Sequence, residues 1–406
     1  MDEKPKLRPV EAFPIRGERG TLVCLRDPSG MSDRVVTASP HVIPVLQMLD
    51  GRHNVLDIQA QLTRQTGTLV QSEPIRKILS VLEEALLLEG ERFEAHKAQV
   101  VGEFARSGVR KAASAGHSYP DDAKELGEFL DGILAEAAPG DKVGAATPRG
   151  IIAPHIDHAR GRKSYAEAYA PLARSEGADL YVLLGTAHTE TAERFALTRK
   201  DFETPLGTAV TDRDFVDALA KRSGRDLFAD EFVHRAEHSI ELELVFVQHL
   251  AQKAKRDFRI VPILCGSFHE AISDGKPPME LPGVKGIVEG LRELIAKEKR
   301  RVCVVAGADL AHVGPRFGGS EGVTVALLAS LDAADRETLD FVVKGDAEGF
   351  VRQVALDENA RNICGVAAIY VALRALEPCR ATLLDYQQWA DDDGSSSVTF
   401  AACAIH

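Results

Sequence analysis

The chain has 406 residues, enough for two domains or one large domain with an appendage, and 45% hydrophobic against 27% charged residues is the balance of an ordinary soluble globular protein. A net charge of −12 argues against a broad basic face for nucleic acid, and no apolar run approaches the ~20 residues of a membrane-spanning helix. The opening Met1–Pro5 lacks the apolar stretch of a secretory leader, and six scattered cysteines without a CxxC pair describe a reduced, cytoplasmic protein.

The first unit is expected over residues 1–93. Thr21–Leu25 and Arg34–Thr37 predict short strands, and Val42–Leu49 a short apolar helix closed by Gly51. Val55, Ile58 and Leu62 recur at helical spacing up to Gly67; Ile75, Ile78, Leu79, Leu82, Leu86 and Leu87 mark a third helix, expected to stop near Gly90. Together these make a small α+β, winged-helix-like module. The run "LDG…VLDIQAQLTRQTG", followed by a Leu-rich helix, resembles the PqqD-like domains, which hold a peptide along an edge strand. A helical cap packed on the larger domain is the plainer alternative. DNA binding is disfavoured, because Asp57, Glu83, Glu84, Glu89 and Glu91 offset the few basic residues.

A polar connector is expected over residues 94–108, and a larger α/β domain over 109–406. Glu125–Leu134 reads as an amphipathic helix, ended by Ala137-Ala138-Pro139-Gly140. Apolar strand-like runs follow at Gly150–Ala153, Leu180–Leu184, Arg259–Leu264 and Val302–Ala306. Between them lie helix candidates at 163–174, 213–222, 240–254 and 284–298; longer helices are predicted at 322–343, 346–355 and 365–376, with a closing strand in "SSSVTFAACAI". Such alternation predicts a central, largely parallel or mixed sheet flanked by helices.

Three of those strands end in the same way. Ile151–Pro154 delivers His155, with Asp157 and His158 just behind; Leu183–Ala187 delivers His188; Val304–Ala308 delivers Asp309, with His312 three residues on. Ligands of open α/β sheets bind beyond the carboxyl ends of the strands, so three such tips predict one convergent site. Any one of these histidines alone reads better as a hydrogen-bonded bystander. A fourth cluster, Glu237-His238-Ser239-Ile240-Glu241, opens a helix. Capping accounts for Ser239 and Glu241 but not for a histidine between two carboxylates, which makes His238 a candidate acid/base or hydrogen-bond donor. Cys364 precedes an apolar helix whose N-terminus favours a thiolate, whereas Cys303 inside a strand reads as core and Cys265 is ambiguous. No nucleophile elbow, P-loop or dinucleotide fingerprint is present.

With these residues in hand, the chain resembles the Memo family, whose bacterial members are called AmmeMemoRadiSam system protein B. The likeness runs from Val109 to His406. It rests on "RKAASAGHSYP" (110–120), "IIAPHIDHARG" (151–161), "LLGTAHTE" (183–190), "FETPLGTAVTD" (202–212), "EHSIELEL" (237–244), "RIVPIL" (259–264), "GADLAHVGPRFG" (307–318), "NICGVAAI" (362–369) and "SSVTFAACAIH" (396–406), in order. The resemblance implies a fold like that of class III non-haem iron dioxygenases and a metal site of two histidines and a cysteine. Carried onto this sequence, those ligands are His155, His188 and Cys364, with His238, Asp309 and His312 lining the pocket. The chain departs from the family at Ile156-Asp157-His158, where Gly-Tyr is common nearby, and at Thr189, where a second histidine is common.

Two imidazoles and a thiolate with an open position suit copper, iron or zinc. Asp309 or His312 is expected to fix a ligand's tautomer from behind. The leading expectation is a copper- or iron-dependent oxidoreductase. One alternative is an adaptor that binds a peptide or metal without turnover, alongside a radical SAM enzyme and an Amme-type protein. A further one is zinc-assisted hydrolysis with Asp309 or Glu237 as base.

Overall fold

A computed structural model describes residues 4–17, 20–138 and 147–406, so the expected helix stop at Pro139-Gly140 lies outside the described residues. The chain divides into two compact units, Met1–Arg106 and Ser107–His406.

The first unit opens with an antiparallel three-stranded sheet, β1 (Glu11–Gly17), β2 (Gly20–Arg26) and β3 (Val36–Ala38), in that order. Four helices follow: α1 (Ile43–Leu46), α2 (Val55–Thr66), α3 (Ser72–Glu84) and α4 (Glu91–Arg106). Asn54 starts α2 with a capping box, accepting from the Leu56 and Asp57 N–H groups while Asp57 reaches back, and Gly67 closes it at φ 69°. Leu25, Ile58, Ile75, Leu82 and Leu87 form the centre of this unit's core. Two expectations fail here. The third helix stops at Glu84 because Leu86 turns to φ 61°, which sends Leu87 into the core instead of continuing the helix. The expected polar connector is helical as α4, anchored by buried Phe93, against whose ring the Arg8 guanidinium stacks at 3.6 Å.

The second unit holds eleven strands in one mixed sheet among the described residues. They are β4 (Val109–Arg110), β5 (Gly150–Ala153), β6 (Leu180–Thr186), β7 (Phe195–Leu197), β8 (Asp201–Thr204), β9 (Gly207–Thr211), β10 (Arg259–Cys265), β11 (Val302–Gly307), β12 (Asp309–Val313), β13 (Ala381–Ala390) and β14 (Ser397–Ile405). Their order is β12-β14-β5-β11-β6-β10-β9-β8-β4, with β13 on β14 and β7 on β10. The central strands β5, β11, β6 and β10 are parallel, and β14 joins β5 antiparallel.

Helices cover both faces: α5 (Ala123–Leu134), α6 (His158–Arg174), α7 (Arg213–Ser223), α8 (Glu241–Lys253), α9 (His269–Ser273), α10 (Val284–Lys297), α11 (Val325–Lys344), α12 (Ala347–Ala355) and α13 (Val366–Ala375). Alternate residues of each central strand serve opposite cores. Val182 and Leu184 of β6 and Val304 and Ala306 of β11 face α7, α10, α12 and α13, while Tyr181, Leu183, Cys303 and Val305 face α5, α6 and α8. Burial on both faces is why these strands read as unbroken apolar runs, each large side chain contributing about 1.5–3 kcal/mol. No helix among the described residues is long and apolar enough to cross a membrane.

Candidate metal centre

The strand order decides the site. Because β11 lies between β5 and β6 and all three run parallel, the tips bearing His155, His188 and Asp309 emerge side by side at one edge of the sheet. Two glycines let further segments close on that edge. A Cβ at Gly307 would lie 2.6 Å from the Ser239 carbonyl oxygen, and one at Gly365 would lie 2.5 Å from the Ala308 Cβ and 2.7 Å from the Asp309 carbonyl oxygen. Bare backbone at these positions brings His238 and Cys364 onto the tips.

One ring nitrogen from each of His155, His188 and His238 falls within a 4.8 Å cluster that can hold a metal ion. The His155 ring stands edge-on to both others, at 5.0 and 5.6 Å between centroids, and His188 stacks on His238 at 4.8 Å. His155 is buried; its Nδ1 donates to the Gly307 carbonyl at 2.9 Å, leaving Nε2 as the acceptor. That Nε2 lies 3.2 Å from the Cys364 Sγ and 3.8 Å from the Asp309 Oδ2.

Glu237 organises the other two rings. Its carboxylate accepts from the backbone N–H groups of His188, His238 and Ser239 at 2.8–3.0 Å. It also meets Nδ1 of His188 at 3.1 Å and Nδ1 of His238 at 3.2 Å. A carboxylate on Nδ1 directs Nε2 outward as a ligand and raises its basicity.

The electrostatics divide the cluster. Burial, then the neighbouring His188 and His238, hold His155 well below the ordinary histidine range; burial likewise lowers His238 despite Glu237. Burial works against charge on His188 too, but Cys364 and Glu237 more than offset it and carry the ring up to about 11. Glu237 itself is held low: burial opposes ionisation, and the contacts to His188 and His238 outweigh it. Burial pushes the Asp309 carboxyl up to about 7, although the His155 and Ile156 N–H groups favour its charged form.

Several expectations need correction. Cys364 is not tuned toward thiolate by the helix that follows it: burial raises the thiol, and the contact with His188 only partly compensates. Neither Asp309 nor His312 fixes a ligand's tautomer. The Gly307 carbonyl does so for His155 and Glu237 for His188, while Asp309 Oδ1 takes the His155 backbone N–H at 2.9 Å. His312 lies within strand β12, bonds its Nδ1 to the Leu310 carbonyl at 3.1 Å and meets the Phe317 ring at 5.1 Å, outside the three-histidine cluster. Ser239 and Glu241 cap nothing. Helix α8 has no side-chain cap; the Ser239 hydroxyl donates to the Thr186 carbonyl at 2.8 Å, and Glu241 pairs with buried Arg110. Asp157 caps α6, and His158 is buried against Tyr165 and Phe246. Cys265 and Cys303 are core thiols raised by burial.

Comparison with known proteins fixes the family. The family model described as Memo-like protein matches residues 110–404, well over half of the chain. The chain belongs to the Memo family. A MEMO1 family protein of Aquifex aeolicus is 26% identical over 406 residues, covering 99% of this chain and 100% of its own. A relative from Thermus thermophilus is 27% identical over 84% of this chain and 94% of its own, and one from Methanosarcina acetivorans is 29% identical over 73% of this chain and 98% of its own. The Memo-family match takes in every residue of the cluster, together with Glu237, Asp309 and Cys364.

Proposed function

We propose that this Memo-family chain is a metal-dependent oxidoreductase whose redox-active ion, copper or iron, is held by His155, His188 and His238 with Cys364 beside them. The observation that carries the reading is the convergence of three imidazoles, two of them fixed through Nδ1 by one buried carboxylate. Such a donor set fits a first-row transition ion, and an adjacent sulfur favours copper or iron over magnesium or calcium. When bound, the ion would supply electron transfer and Lewis acidity at an open coordination position.

The chain's own groups have separable tasks. Glu237 sets the direction of two rings. Asp309, whose Oδ2 is 3.8 Å from His155 Nε2, is the carboxyl placed beside the histidine cluster to pass a proton to or from a bound molecule. His188, with 38% of its side chain exposed, is the ring of the three that a molecule from solvent would meet together with His238. Zinc-assisted hydrolysis is less well supported, because both Glu237 oxygens are already engaged and leave Asp309 as the sole base.

The test is metal content and electron paramagnetic resonance on anaerobically purified protein, wild type beside H155A and C364A. Near-stoichiometric copper or iron, lost in H155A, supports the reading. No uptake after reconstitution overturns it. In that case the adaptor reading gains, a peptide-binding partner of a radical SAM enzyme, which the separate compact unit at Met1–Arg106 favours.

A further inference from the structure

We propose that the strip running outward from His312 across Val398 to Trp389, with Arg160 over the indole, recognises a substrate that joins an anionic group to an apolar or aromatic body. The inference deepens the metal-centre reading by naming the class of molecule brought to it, and it rests on that reading. Register places the strip. His312 of β12 lies opposite Val398 of β14, and Val398 lies opposite Trp389 of β13. Opposed residues share a face of the sheet, so His312 and Trp389 flank Val398, roughly 10 Å apart at ordinary strand spacing.

The strip adjoins the histidine cluster through Ile156. Ile156, next to His155, packs with Val398 and Phe400 in a small buried apolar cluster separate from the two main cores, and the partly exposed Trp389 ring covers it. Phe317, 37% exposed, adds an aromatic edge against His312. At the far end, the Arg160 guanidinium from the first turn of α6 stands 4.1 Å from the Trp389 ring centre.

The charge of Arg160 is unspent. Its neighbours on the same helix are satisfied, Arg162 by Glu136 at 2.6 Å and Lys163 by Glu167 at 2.9 Å. Arg160 is exposed and, among the described residues, has no carboxylate within ion-pairing distance. A guanidinium laid on an aromatic face keeps its N–H edge free and pre-oriented for a carboxylate or phosphate. An apolar body would lie on the half-buried Trp389 ring, over the nearly covered Ile156 and Val398 beneath it, and reach toward His312 and the exposed Phe317.

Trp389 is the chain's one tryptophan, so its fluorescence reads occupancy directly. The experiment titrates full-length protein, metal-free and zinc-loaded, with 3-phenylpropionate, phenyl phosphate and the neutral 3-phenylpropionamide. The expected result is a saturable change in emission with at least one anion. The amide binds at least tenfold more weakly, and R160Q loses at least tenfold in affinity for the anion. R160K, which keeps the charge, falls between, with circular dichroism confirming the fold of each variant. The ratio of the two anions identifies carboxylate or phosphate as the group read.

Equal binding of acid and amide, an R160Q titration that matches the wild type, or no saturable response to either anion overturns the proposal. Arg160-dependent binding in a chain that takes up no metal would sustain it while removing the metal reading. Metal uptake without any anion response would do the reverse.

Discussion

Glu237 and Glu241 are both buried and stand four residues apart, one before helix α8 and one at its start, yet the regions they organise are built for different ends. Around Glu241 every partner is a fixed donor: the Arg110 guanidinium, the Tyr119 hydroxyl, and the N–H groups of Ala113 and Ser114 at 2.9 and 2.8 Å. Around Glu237 the partners include two imidazoles, each of which keeps a second nitrogen for something else. The first arrangement is closed, since its charge is balanced by the buried Arg110 guanidinium and every acceptor site is filled by a fixed donor. The second is open, since histidines can exchange a proton for a metal ion. Arg110 joins the two: its guanidinium also donates to the His234 carbonyl at 2.9 Å and the Glu237 carbonyl at 2.7 Å, so the closed network holds the turn on which the open one is built.

The largest effect should come from breaking the closed network. Removing one member of a buried pair strands the other, at a cost of about 3–5 kcal/mol. E241A and R110M are therefore expected to lower the stability of the second unit by that amount in urea unfolding. A loss under about 1 kcal/mol would mean that water replaces the missing partner and that the network is not closed.

A pH effect of similar size belongs to the aromatic core beside that network. His158 is buried between Tyr165 and Phe246, bonds only the Leu242 carbonyl through Nε2 at 3.0 Å, and burial lowers it to about 4. The unfolded chain thus binds the proton more tightly than the folded one. The stability this group contributes is full above pH 6.5 and is lost as the pH falls toward about 4, about 3 kcal/mol over that window. H158F, which keeps the aromatic packing, should flatten that part of the stability profile; an unchanged slope would assign it elsewhere, with His234, also lowered to about 4 by burial, the next to examine.

The open region should respond the other way round. E237Q keeps the shape but weakens the hold on both rings and leaves at least one buried backbone N–H without its acceptor, so metal affinity is expected to fall about 10–100-fold while folding loses about 1–3 kcal/mol, less than in E241A. Competition with a chromophoric chelator measures this directly. If E237Q instead unfolds the protein and the folded fraction still binds metal normally, the division between the two carboxylates is wrong.

How much of this was legible in the sequence follows the same division. The strand tips were, because doubly buried parallel strands are continuous apolar runs and each ends in a polar turn at His155, His188 or Asp309. What the sequence could not show is that β11 inserts between β5 and β6, on which their convergence depends. Glu237 was visible as a candidate base, but its part in orienting two imidazoles was not, because its partner His188 is 49 residues away. Cys364 was visible as a residue but misjudged in character: the local helix end argued for a thiolate, and burial in the folded chain reverses this, with His188, distant in sequence, only partly compensating. Trp389 and its strand were missed because β13 is half-buried along most of its length, which blurs the alternation that marks a strand.

The smallest prediction sits on the boundary between the two regions. Ser239 lies between the two glutamates, and its hydroxyl donates to the Thr186 carbonyl while its backbone N–H serves Glu237. S239A removes one neutral buried hydrogen bond and leaves the backbone contact in place. The expected cost is about 1 kcal/mol in folding, with metal affinity within about twofold of wild type. That outcome would show that the open region depends on this turn for its backbone alone. A tenfold loss of metal affinity at the same small cost in stability would mean that the tie to Thr186 sets the register of His238, moving Ser239 from the scaffold into the centre itself.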